Sequence, residues 1–185
     1  TSESLRNIAK LLVERGADAG LIERTEALIA EEEARVWQQL APFKPRFEGK
    51  RVLLMTGGVK SWSVVAALQE AGLEIAGTSV KKSTKEDKDR IKEIMGTDAH
   101  MFEEMPPREM YKILRDAKAD IMLSGGRSQF VALKAKTPWL DINQERHYAY
   151  AGYVGIIELV REIDKALFNP VWEQVRRPAP WEKEV

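Results

Sequence analysis

From Lys50 onward the chain repeats one unit: a short apolar run, a turn, and a stretch with helical spacing. RVLLM (51–55) precedes a helical pattern over 63–71, EIAGTSV (74–80) one over 84–95, and AHMFE (99–103) one over 107–117. DIMLS (120–124) precedes one over 128–136, and WLDI (139–142) one over 152–167. Short, continuously apolar strands of this kind are buried on both faces, and strands joined through helices run parallel. The repeat predicts a doubly wound, Rossmann-like α/β domain over 49–185, a parallel sheet flanked by helices.

Ahead of it, Thr1 and Ser2 are natural helix caps, and Leu5, Ile8, Leu11 and Leu12 follow at helical spacing over 1–14. A second helical pattern places Leu21, Thr25, Leu28, Ile29, Val36 and Leu40 around an acidic face, EEEAR, until Pro42 and Pro45 end it. The connector RFEGK then leads into the first strand. These stretches predict an N-terminal helical extension over 1–48. A chain that opens at Thr1 without methionine reads as a processed product or a piece of something longer.

Charge decides little globally, since 29 basic residues balance 29 acidic ones. No net field recruits nucleic acid or an anionic membrane, so neither is an expected partner. There is no cysteine, and only His100 and His147 are available as imidazoles. A self-contained zinc or iron–sulfur site is therefore not expected, and neither a metal ligand nor a catalytic residue is assigned to the chain itself. No apolar run approaches a membrane span and no signal-peptide pattern opens the chain; a cytoplasmic setting fits.

In a parallel sheet the carboxyl ends of all strands share one edge, where ligands bind. The residues just past each strand are therefore candidates for one site. They are Gly57, Gly58 and Lys60 after the first strand, and Lys81, Lys82 and Ser83 after the second. Gly125, Gly126 and Arg127 follow the fourth, and Asn143, Gln144 and His147 the fifth. TGGVKS and SGGRS repeat one order of hydroxyl, Gly-Gly, cation and serine. Glycine lets backbone approach a ligand, and a following helix start offers unpaired N–H groups, so both turns suit an anion. Each piece also has a plain structural reading: a turn solving a backbone angle, a solvated KKSTKEDKDR helix start, a hydrogen-bonded loop histidine. The dinucleotide fingerprint GxGxxG, the P-loop and the nucleophile elbow are all absent.

The phrases RVLLMTGGVKSWSV, GTSVKKSTKEDKDRIKEIMG, DIMLSGGRSQFVALKAKTPWLDINQERHYAYAGY and NPVWEQVRRPAPW together resemble the C-terminal domain of the nitrogenase component 1-like family, on its cofactor-biosynthesis branch. The resemblance runs over nearly the whole chain and implies the third of three doubly wound domains in a longer subunit. By the same resemblance, a metal cluster is held between domains. Gly57, Gly58 and Lys60 would supply N–H groups and a cation to its sulfides, and Arg127 would stand near the organic acid. Gly125, Gly126, Asn143 and His147 complete the expected cofactor-facing set. Catalytic relatives ligate the metal through a histidine where this chain has Asn143 or Gln144, and carry a second arginine where it has Trp62.

The implied function is that of a scaffold domain forming one wall of a pocket for an iron–sulfur precursor of the iron–molybdenum cofactor with homocitrate. Anchoring cysteines would lie in earlier domains, and no cofactor or enzyme activity is expected of the chain alone. The implied partners are a NifN-like subunit in a heterotetramer, with the iron protein and apo-nitrogenase as transient partners. Two other readings stay open from the residues: the same domain of a catalytic nitrogenase subunit or related reductase, and a metal-free anion-binding module.

Overall fold

The structure, a computed structural model, describes residues 1–56, 61–96, 100–116, 118–143 and 148–179. Two long helices, α1 (Ser2–Glu14) and α2 (Gly20–Leu40), and a single turn, α3 (Lys44–Phe47), precede the sheet. Then come β1 (Arg51–Met55), α4 (Ser61–Glu70), β2 (Glu74–Ser79), α5 (Lys85–Met95), β3 (Met101–Phe102), α6 (Pro107–Asp116) and β4 (Ile121–Ser124). A 3-10 turn (Gly126–Ser128), α7 (Gln129–Lys134), β5 (Trp139–Asp141), α8 (Gly152–Leu167) and α9 (Val171–Arg176) complete the order.

The strands form one parallel sheet in the order β3-β2-β1-β4-β5. Its centre is apolar on both faces, as the continuous runs predicted. Val52 and Leu54 of β1, with Ile121 and Leu123 of β4, join Val65 and Leu68 of α4 and Ile157, Val160 and Ile163 of α8 in one buried cluster. Leu53 and Met122, from the intervening positions, join Met110 and Leu114 of α6 and Val131 of α7 on the other side. That alternation is the two-residue period of the strand dividing its side chains between two helical layers.

Val36 and Leu40 of α2 and Phe47 of α3 belong to the first of these clusters, so the end of the N-terminal helices packs with β1 and α8. α1 is attached differently. Of the residues whose spacing predicts it, Ile8 (54%), Leu11 (53%) and Leu12 (46%) remain exposed, and Ala9 is its buried residue. Polar contacts hold it instead. Arg6 meets Glu26 of α2 through two hydrogen bonds of 2.8 and 2.9 Å. Arg90 of α5 reaches Glu3 through two of 3.1 Å, with its guanidinium 4.9 Å from the Trp62 ring centroid.

Local chemistry sets several element ends. Thr84 caps α5: its hydroxyl accepts the Asp87 N–H at 3.2 Å, and the Asp87 carboxylate accepts the Thr84 N–H at 2.9 Å. Asn169 accepts the Val171 N–H at 3.0 Å and starts α9, a helix absent from the sequence expectation although Asn-Pro is a start signal. A one-turn helix, α3, with Pro45 in its first turn, runs into the connector expected before β1 and takes up its Arg46 and Phe47. The strand expected over 99–103 is Met101–Phe102, and the helix expected over 128–136 opens as a 3-10 turn and ends at Lys134.

One irregularity shapes the edge of interest. Val52 pairs with Ile75 but Leu53 with Gly77, so the β1–β2 register skips Ala76, as in a β-bulge. The following glycine makes room for an aromatic ring: a Cβ on Gly77 would stand 2.5 Å from Phe102 Cε2 and 3.3 Å from the His100 carbonyl. Gly77→Ala should therefore displace Phe102 and destabilise the fold by about 1–3 kcal/mol. Thermal unfolding of Gly77→Ala, and of Gly77→Ala combined with Phe102→Leu, checks this; the smaller side chain should recover part of the loss.

Candidate functional site

Because every strand is parallel, the last paired residues form a row across one edge. Met55 pairs with Ser124, Ser124 with Asp141, and Ser79 with Phe102. The chain leaves β1 toward α4 on one face and β4 toward α7 on the other, so β1 and β4 flank the switch point of the sheet. A shallow depression of about 390 Å³ opens beside it, lined among others by Met55, Thr56, Ser79, Lys81, Glu104 and Ser128. Thr56 is the residue before the first Gly-Gly turn and Ser128 the residue after Arg127. The two sequence motifs thus border one concavity.

The second turn is built by its neighbours. Ser124 is fully buried; its hydroxyl accepts the Trp139 indole N–H at 2.7 Å and donates to the Gly125 carbonyl at 3.2 Å. The serine that opens SGGRS is therefore an anchor for the turn. Gly125 has extended backbone, φ −87° and ψ 163°, and the Ser128 N–H closes on its carbonyl at 3.0 Å. Asp141, at the end of β5, accepts the Asn143 N–H at 3.0 Å, an Asx turn that fixes the chain leaving the strand.

These two connections touch. A Cβ on Gly125 would lie 2.9 Å from Asn143 Nδ2, and one on Gly126 would lie 3.5 Å from Asp141 Oδ2. Gly125 thus serves close approach by a side chain rather than an unusual backbone angle. Arg127 is exposed and has no ion pair among the described residues.

The structure brings together Gly125, Gly126 and Asn143, with Arg127 on the same turn. Gly57, Gly58, Lys60, Gln144 and His147 lie outside the described residues. Lys82 is exposed, while the Ser83 hydroxyl is buried without a hydrogen-bond partner among the described residues.

Lys81 is committed: its ammonium donates to Glu104 Oε1 at 2.7 Å, across the connections that follow β2 and β3. That hydrogen bond holds the Glu104 carboxyl below the usual carboxylate range. Glu103 is lowered in the same way by Lys88 of α5, at 2.6 Å. Sequence reading missed Glu104, Trp139 and Asp141; each acts through a contact that only the fold creates. Among the described residues no group of three or more His, Cys, Asp or Glu is placed to hold a metal ion. Nor is any described helix long and apolar enough to cross a membrane.

A family model described as Nitrogenase component 1 type Oxidoreductase matches residues 1–168, and the chain belongs to that family. Among named relatives, the nitrogenase iron-molybdenum cofactor biosynthesis protein NifE of Bradyrhizobium diazoefficiens is 73% identical over 98% of this chain and 33% of its own length. Proteins of the same name from Nostoc sp. and Klebsiella pneumoniae are 51% and 47% identical over 98% of this chain, and over 37% and 39% of theirs. The chain thus spans little more than a third of the length of these relatives. Two solved structures, titled nitrogenase Cp1 at pH 5 and at pH 6.5, share the fold with TM-scores of 0.78 and 0.76 at 23% and 21% identity. Each covers 97% of this chain, which corresponds to 41% and 44% of theirs.

The contact between the two turns is directly testable. Gly125→Ala should push the Asn143 amide aside at a stability cost of about 1 kcal/mol, small because the atom met is the end of a side chain. The Asn143 NH2 resonances should shift in Gly125→Ala and stay in place in Gly126→Ala, whose added methyl meets Asp141 at ordinary contact distance.

Proposed function

We propose that this chain is a domain of a scaffold on which an iron–sulfur precursor of the iron–molybdenum cofactor is matured and then released. Its carboxyl sheet edge would form one wall of the precursor pocket. The observation that carries the reading is the meeting of the Gly125–Gly126 turn with Asn143 beside a depression that Thr56 and Ser128 both line. The named relatives, cofactor biosynthesis proteins by their names, support the role.

The cargo in this reading is anionic and rich in sulfide and carboxylate. A chain with no cysteine offers it no thiolate. It can offer the backbone N–H groups of Gly126 and Arg127, the Arg127 guanidinium and the Asn143 amide. The sequence adds Gly57, Gly58, Lys60 and His147 to this wall. Charge-assisted hydrogen bonds hold such a group without a metal–protein bond and release it more readily. A carboxamide at 143 fits release as well, because its neutral oxygen is a poorer metal ligand than imidazole.

Such a scaffold carries out no turnover through this domain; its work is holding and handing on. Anchoring thiolates come from other parts of the subunit or from a NifN-like partner in a heterotetramer. The iron protein and apo-nitrogenase meet it transiently, in the cytoplasm.

Two variants of the full-length protein test the reading. Arg127→Ala should lower molybdenum and homocitrate loading about tenfold or more, since a charge-assisted bond shielded from water contributes about 1.5–3 kcal/mol. Its iron content should stay at the wild-type level. Metal analysis after desalting decides it: normal molybdenum in the variant would remove Arg127 from the site. Asn143→His should keep the matured cluster longer. The time course of apo-nitrogenase activation by loaded scaffold should be slower than wild type, and an unchanged rate at full loading would show that position 143 does not govern release.

A further inference from the structure

Lys81 lines the same depression, and its side chain is tied to Glu104, which lines it too. We infer that Lys81 is a ligand-binding residue of this edge and that Glu104 is its internal competitor, a carboxylate from the protein that a small polycarboxylate displaces. The inference rests on the reading of this edge as the ligand edge and adds a second cationic contact to it.

The ion pair has the properties of a displaceable one. Its side chains are 58% and 77% exposed, and exposed pairs contribute little because water and salt screen them. The connection that carries Glu104 is held independently: its neighbour Glu103 is paired with Lys88 of α5 at 2.6 Å, and Pro106 leads directly into α6. Glu104 can therefore turn away by side-chain rotation while the wall made by Met105 and Pro106 keeps its place.

Valence decides what can win the lysine. Glu104 is tethered next to Lys81, so a monocarboxylate offers the ammonium nothing that the protein does not already supply at high effective concentration. A ligand with several carboxylates is different. One can replace Glu104 on Lys81 while another reaches the turn carrying Ser128, which lines the same depression, and Arg127, its neighbour in the chain. Displaced Glu104 is left fully solvated, at little cost for a side chain already so exposed.

The test is calorimetric titration of the full-length protein with citrate, a tricarboxylate, and with acetate as the monovalent control. Citrate should bind wild type more tightly than acetate. Glu104→Gln should tighten citrate binding about two- to fivefold, the range an exposed pair permits. Lys81→Ala should weaken it by a similar factor or more, and Glu104→Gln should bring no gain in the Lys81→Ala background. An equal gain with and without Lys81 would overturn the inference, since it would reflect only removal of a negative charge. Loss of citrate binding in Arg127→Ala with no effect of either Lys81 or Glu104 variants would overturn it while leaving the scaffold reading intact. Absence of citrate binding to wild type and to Glu104→Gln would count against both.

Discussion

Val52, Leu53 and Leu54 of β1 have no exposed surface. Three consecutive side chains cannot all be hidden unless both faces of the strand are covered and both of its edges are paired. β2 and β4 supply the edges; α4 and α8 cover one face, α6 and α7 the other. At about 25 cal/mol per Å² of apolar surface, burial on this pattern is the main favourable contribution that offsets chain ordering. Once β1 is central, the switch point beside it follows from topology, and with it the crevice where the Gly-Gly turns stand.

The site is assembled from the least regular parts of that frame. Three polar contacts, Trp139 to Ser124, Ser124 to Gly125 and Asn143 to Asp141, turn the ends of β4 and β5 into fixed supports. All start from residues at or next to strand ends, where the sheet already restricts the backbone. The exposed cation, Arg127, is thus carried on a turn whose base is buried and hydrogen-bonded. Another cation at this edge, Lys81, has a carboxylate on it. The edge is therefore less uniformly positive than a count of lysines and arginines after the strands suggests.

How far this was legible in the sequence differs by kind of feature. β1 and α8 run over the residues their patterns predicted, because a continuous apolar run and a long amphipathic period are local properties. The predicted fold class holds, since alternation of strand and helix leaves few other solutions. α3 and α9 were missed because helices of one or two turns carry too few residues for a period to show. The apolar spacing of α1 predicts its helix, yet Ile8, Leu11 and Leu12, three of the four positions that carry that spacing, are outside, because amphipathicity shows that a face seeks cover and not how much of it finds cover here. In the site, the glycines and Arg127 were visible as motif. Asp141, Trp139 and Glu104 were not: the Glu104–Lys81 contact spans 23 residues, and no local pattern announces it.

The packing of Val36, Leu40 and Phe47 with β1 and α8 bears on where this protein can be cut. A boundary placed by composition falls after residue 48, where helices give way to strands. A chain trimmed there would leave three apolar sockets against the central strands, each costing about 2–5 kcal/mol by analogy with large-to-small core substitutions. Their sum rivals the 5–15 kcal/mol by which a whole domain is held folded. In energetic terms Val36 and Leu40 in the last turns of α2 and Phe47 of α3 are inner wall of the α/β layer. Any shortened version, natural or engineered, must keep them, whereas α1, joined mainly through exposed ion pairs, is the part the rest of the fold could survive losing.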